Sequence, residues 1–324
     1  MRRSASYAIP DFYLLKKKLV FWAEKFSSAI FFDRNNYASF DDSRQCILAA
    51  GELQPLIISK GSTFEAIQEY FDREPDWLFG YLSYDISRET EPSAFKITHP
   101  KSDGIQFPHA HFFRPRHLVE IENGRLFISS TDNPDKIMED INAIVLPKDR
   151  LDSTLQIQQR FLKQEYCKAV LNLKEHILNG DLYEINLCQE FFAEHIKADP
   201  SSLFIRLNEI NPAPFACYLK HQHKYLICAS PERFLKKSGI NVLSQPIKGT
   251  IQRDKQSETH DRELAHQLRN DPKEQSENIM IVDLMRNDLA RSCEPGSITV
   301  DELFGIYSFP NVHQMISTVS GVLR

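Results

Sequence analysis

Nowhere in the 324 residues is there a run of eighteen apolar side chains, so no membrane-spanning helix is expected. The six cysteines (Cys46, Cys167, Cys188, Cys217, Cys228 and Cys293) never form a C-x-x-C pair, which removes the usual basis for a zinc site. Several stand in apolar, strand-like runs, where a thiol acts as a small hydrophobe. Basic charge is not in excess. The net charge is −5 and the pI about 6.1, which excludes a sequence-independent grip on nucleic acid but not a local basic pocket for a small anion. No solenoid repeat and no long low-complexity tract is visible. Charged residues at Asp11 and Lys16-Lys17-Lys18 interrupt any apolar run near the start, so no secretory signal is expected and the reducing cytoplasm is the implied compartment. What remains is ordinary. Hydrophobic residues at 42% and charged residues at 26% describe a soluble globular protein, long enough for one large core or two domains.

A polar break at Pro147-Lys148-Asp149-Arg150 divides the chain into an N-terminal region, 1–150, and a second region, 151–324. In the first, Leu14 to Ala29 and Thr63 to Phe71 read as helices, and Trp77 to Asp85 reads as a strand. His117 to Ser130 reads as a hairpin turning at Asn123-Gly124. In the second, Lys163 to Asn179 has helical apolar spacing and meets Gly180, a helix stop. Tyr183 to Phe192 reads as a strand, and Asp199-Pro200 opens a helix over Ser201 to Ile210. Short strands are expected at Phe215 to Leu219, Lys224 to Cys228 and Ile240 to Leu243. Helices follow at Glu258 to Asn270 and Lys273 to Ala290, then strands at Ile298 to Phe304 and Val312 to Leu323. Strand runs and helix runs without regular alternation give an α+β class with largely antiparallel sheets.

Three segments carry chemistry. Pro246-Ile247-Lys248-Gly249-Thr250 sets a lysine between a stiff pair and a turn. By residue type alone Lys248 is a lysine at a strand end with its head in water. Lowered in pKa and held by its neighbours, it is a carbon nucleophile. Gly249 and Thr250 offer backbone N–H groups that suit a substrate carboxylate. Ser230-Pro231-Glu232-Arg233 presents Glu232 either as a surface partner of Arg233 or, if buried, as a general acid. The Lys273–Leu289 stretch is apolar all round, so the helix is expected to be buried on most sides. It nonetheless carries Glu274 and Glu277, three apart on one face, a pair that suits Mg²⁺. Asp283, Arg286 and Asn287 read as scaffold ion pairing.

In this order the three segments resemble the chorismate-utilising enzymes. The lysine is similar to that of the branch making 4-amino-4-deoxychorismate for p-aminobenzoate and folate synthesis; the anthranilate-forming branch of tryptophan synthesis usually has alanine there. The resemblance implies a sandwich-like core of antiparallel sheets with helices outside, its N- and C-terminal parts interleaved. It implies that Glu232 assists loss of a ring hydroxyl and that Glu277 is a magnesium ligand with Glu274 beside it. His313 in Val312-His313-Gln314-Met315-Ile316-Ser317 matches the H-x-x-x-S half of an active-site histidine motif. Gly180-Asp181-Leu182-Tyr183-Glu184-Ile185-Asn186-Leu187 resembles a G-D-x-Y-Q-x-N-L segment, with Glu184 at the glutamine. Water-using relatives have lysine at that position, so Glu184 argues against them and suits guidance of ammonia. Ammonia is expected from a separate glutamine amidotransferase (glutaminase) subunit. The resemblance also implies further segments beyond Arg324, including a G-x-x-x-G-A-P-K stretch and another magnesium glutamate. The chain is therefore expected to be a piece of a longer one. The alternatives are the anthranilate-forming activity and a binding fragment without catalysis.

Overall fold

The computed structural model describes residues 2–37, 44–92, 103–147 and 156–324. Contacts group the chain into one unit of Met1–Leu146 with Pro200–Arg324 and another of Pro147–Asp199. The boundary expected at Pro147–Arg150 falls partly on 148–150, outside the described residues.

The larger unit begins with β1 (Arg3–Ala8), α1 (Phe12–Ala23), β2 (Ser28–Asp33) and β3 (Arg44–Ile58). Next come α2 (Thr63–Arg73), β4 (Phe79–Leu82), α3 (Ser87–Thr90), the hairpin β5 (Ala110–Glu122) and β6 (Arg125–Ser130), and α4 (Pro134–Asn142). The smaller unit holds β7 (Gln158–Gln159), α5 (Lys163–Leu178) and β8 (Phe191–Phe192), with β7 paired to β8. The larger unit resumes with α6 (Pro200–Ile210), β9 (Phe215–His221), β10 (Lys224–Ser230), β11 (Arg233–Ser238), β12 (Asn241–Gln245) and β13 (Ile247–Gln252). It ends with α7 (Glu258–Asn270), α8 (Pro272–Ala290), β14 (Thr299–Ser308) and β15 (Val312–Val322).

Two antiparallel sheets result. One runs β1-β6-β5-β3-β2-β9-β10, with β4 beside β5, and so joins strands from early and late sequence. The other runs β11-β12-β15-β13, with β14 also on β15. The expected hairpin turn is present: Asn123 (φ 49°) and Gly124 (φ 72°) both take the positive φ that a tight two-residue turn demands. Helices α1, α4 and α6 cover one face of the large sheet. Leu19 and Trp22 from α1, Ile141 from α4 and Phe204 from α6 pack there on Phe31, Leu48, Ile121 and Ile128. Ile30, Ala49, Phe79, Phe113, Leu118 and Leu219 form a smaller cluster. A cleft of about 470 Å³ is lined by residues of both sheets, among them Phe32, Phe79, Phe215, Arg233 and Lys236.

Local reading and structure part at several places; over Trp77–Asp85 only Phe79–Leu82 is strand, and Tyr84–Ile86 turns into a short 3-10 helix. Ala29 lies in β2 rather than in a helix, because the chain from Ser28 to Asp33 is paired on both sides, to β3 and β9. Of the strand expected over Tyr183–Phe192, only Phe191 and Phe192 are paired. Helix α8 is not buried on most sides. Asn278, Val282 and Leu289 form its buried stripe, while Ile279 and Leu284 are about half exposed. One face meets β13 and β15, and among the described residues nothing equivalent covers the other.

Candidate active site

Lys248 sits on a bulge. Ile247 pairs with Ile316 and Thr250 with Gln314, so Lys248 and Gly249 together oppose the single residue Met315. An extra residue in one strand bends it and re-aims its side chains. Gly249 makes this possible, with φ at +98°. A Cβ on Gly249 would lie 3.1 Å from Glu274 Oε2 and 3.3 Å from Met315 Cβ. The bulge therefore lies against the first turn of α8.

That turn is built by its caps. Asp271 accepts hydrogen bonds from the backbone N–H groups of Lys273 and Glu274 at 2.9 and 3.0 Å, and Pro272 occupies the first helical position. Glu274 and Glu277 follow on one face, and Lys273 Nζ bridges them at 2.9 Å from Glu274 Oε1 and 3.0 Å from Glu277 Oε1. The two carboxylates raise the Lys273 ammonium above its ordinary pKa. Two carboxylates sharing one cation fit a hard divalent ion, which would take the same oxygens and complete its shell with water and ligand. Among the described residues no third histidine, cysteine or carboxylate joins them in a metal-binding group.

Behind the bulge, Asn278 locks helix to sheet. It is 1% exposed, accepts a 2.5 Å hydrogen bond from Ser317 Oγ, and reaches the Lys248 and Met315 carbonyls at 3.4 and 3.5 Å. Glu232 joins from the other side: its Oε1 accepts the N–H of Ile247 at 3.3 Å, one residue before Lys248. Glu232 is exposed, however, and the burial expected for a general acid is absent. Lys248, Gly249, Thr250, Glu232, Glu274 and Glu277 are thus gathered around one strand.

His313 is not brought to that group. Its ring is 2% exposed, with Nε2 3.0 Å from Asp261 Oδ1 and Nδ1 2.9 Å from Ser308 Oγ. Arg253 grips the same aspartate at 2.6 Å, and that contact, with His313, holds the Asp261 carboxyl down at about 2. His313 ties β15 to α7. The neighbour that alternation sends to the opposite face is Gln314, directly across from Thr250. Gln314 Nε2 lies 3.5 Å from Thr250 Oγ1, and its Oε1 is buried without a partner among the described residues. Sequence reading passed over Gln314; counting strand alternation from either residue would have separated the pair. Glu184 lies in the smaller unit, half-buried on irregular chain after Gly180.

The family model for the chorismate binding enzymes matches residues 17–324. An anthranilate synthase component I-like protein of Synechocystis sp. is 32% identical over 80% of this chain and 53% of its own length. Aminodeoxychorismate synthase component 1 of Escherichia coli is 36% identical over 55% of this chain and 39% of its own. The chain thus spans about half or less of these relatives. The crystal structure of anthranilate synthase component I from Streptococcus pneumoniae superposes with a TM-score of 0.71 at 21% identity, over 88% of this chain and 70% of that one. No helix among the described residues is long and apolar enough to cross a membrane.

Proposed function

The chain belongs to the chorismate binding enzyme family, and from that membership we propose that it serves the conversion of chorismate and ammonia to 4-amino-4-deoxychorismate, the precursor of p-aminobenzoate in folate synthesis. The observation that carries this reading is the bulge at Lys248, held between the Glu232 contact at Ile247 and the carboxylate pair of α8. The Lys248 amine attacks C2 of the ring; both ring double bonds shift, the C4–O bond breaks and the hydroxyl leaves as water with a proton from Glu232, whose exposed carboxyl is covered once substrate is bound. Ammonia then attacks C4, both double bonds return, the C2–N bond to Lys248 breaks, and the proton shed by the incoming nitrogen goes to the leaving amine. The N–H groups of Gly249 and Thr250 take a substrate carboxylate. Glu277 and Glu274 would hold Mg²⁺ in place of the Lys273 ammonium, and the ion would supply positive charge to a substrate carboxylate. Ammonia is delivered by a glutamine amidotransferase subunit. His313, through Asp261, positions β15 and β13.

The similarity to the anthranilate synthase component I-like protein, which extends over 80% of this chain, favours a second reading in which ammonia ends at C2. Lysine at position 248 favours the first, since a ring already substituted at C2 accepts ammonia at C4. The test is product chromatography after incubation of the enzyme, including any sequence encoded beyond Arg324, with chorismate, Mg²⁺ and ammonium. Aminodeoxychorismate supports the proposal, and anthranilate as the main product refutes it.

A further inference from the structure

Strands β9 and β10 form a hairpin in which Cys217 and Cys228 are directly opposed, in a register unbroken from His221↔Lys224 to Phe215↔Ser230. Opposed residues of an antiparallel pair point to the same face, with Cα atoms about 4.5–5.5 Å apart. A disulfide accepts Cα separations of about 4.4–6.8 Å. Both thiols are free, and both residues are partly buried. The other cysteines differ in setting: Cys46 and Cys293 are buried on separate elements, and Cys167 and Cys188 are exposed in the smaller unit.

We infer that Cys217 and Cys228 are a modification site: a thiol pair that closes into a reversible cross-strand disulfide on exposure to a hydroperoxide. Strand β10 ends the described sheet with β9 as its paired neighbour, so it can adjust toward β9 without disturbing another ladder. The chemistry balances. The Cys228 thiolate attacks the peroxide, the O–O bond breaks, and water leaves once the departing oxygen is protonated. The Cys217 sulfur then attacks the sulfenic sulfur of Cys228; the S–S bond forms, the S–O bond breaks, and the thiol proton departs with the hydroxide as a second water. Two thiols are oxidised and one hydrogen peroxide is reduced.

Burial and the neighbouring Cys228 both push the Cys217 thiol above its ordinary pKa. Little Cys217 is ionised, so the second step depends on the enforced proximity of the sulfurs. Closure would stiffen the strand that runs directly into Ser230-Pro231-Glu232.

The experiment is non-reducing peptide mapping of the folded wild-type chain after brief treatment with hydrogen peroxide, with and without later dithiothreitol. The expected species joins the Cys217 and Cys228 peptides, is lighter than their sum by two hydrogens, and disappears on reduction. In Cys228→Ser it should be absent. A sulfinic acid on Cys228 beside an unchanged Cys217 thiol would overturn the proposal, as would a Cys167–Cys188 link formed in its place or no change at any cysteine.

Discussion

Substituting alanine for Gly249 is the sharpest structural perturbation of the bulge. Two penalties combine. A φ of +98° is foreign to an L side chain, and occupying such a region costs roughly 1–2 kcal/mol. The added carbon would also sit 3.1 Å from Glu274 Oε2 and 3.3 Å from Met315 Cβ, and overpacking of this kind costs about 1–3 kcal/mol. Together they amount to roughly 2–5 kcal/mol, a fall in thermal midpoint of roughly 3–7 °C for a chain of 324 residues. Gly239 supplies the control: its φ is +60°, but a Cβ there would meet nothing within 4 Å. Gly239→Ala should show the conformational penalty alone. Denaturant unfolding of both variants separates the two contributions. The Glu274 carboxylate must also yield in Gly249→Ala, so turnover should fall about tenfold to hundredfold, as for displaced reacting groups, and stay near wild type in Gly239→Ala. Equal destabilisation and equal turnover in the two variants would show that the bulge does not lie against α8.

Glu277→Gln removes one of the two charges that share Lys273, so the magnesium concentration needed for half-maximal turnover should rise at least about tenfold; unchanged activity with chelator present contradicts the assignment. Acid should weaken the fold through its buried imidazoles. Burial holds His111 and His117 down at about 4, against 6.5 when free. The unfolded chain therefore binds more protons as pH falls below about 6.5, and the stability fully present above that value is lost progressively toward about 4. Urea unfolding at about pH 7 and about pH 5 should show this loss, and His117→Gln should shrink it; a wild-type stability that does not change between the two would rule it out.

Much of the site was legible because its signals are local. Asn123-Gly124, Asp199-Pro200 and the Glu274–Glu277 spacing each specify their own backbone, and the structure has the turn, the helix starting at Pro200 and the shared face. What was not legible depends on partners distant in sequence. The segment Ser28–Asp33 continues an apolar pattern from α1 and becomes a strand only because β3 and β9 flank it. The bulge at Lys248 exists only relative to Met315 on β15. His313 and Gln314 are adjacent in sequence yet serve opposite faces, and motif matching favoured the one that Asp261 occupies. The apolar residues of α8 gave no phase, so its burial was read as general when the sheet covers only the stripe through Asn278, Val282 and Leu289.

In the proposed reaction Lys248 forms a bond to the substrate ring. Intact-protein mass spectrometry of the enzyme with chorismate and Mg²⁺ but without ammonia tests it directly, since the second step then has no nucleophile. An adduct of ring mass is expected on the peptide carrying Lys248, with its absence in Lys248→Ala and a loss of aminodeoxychorismate formation in that variant of roughly 10²–10⁴-fold. An enzyme that shows no adduct, together with near-normal turnover in Lys248→Ala, would contradict it.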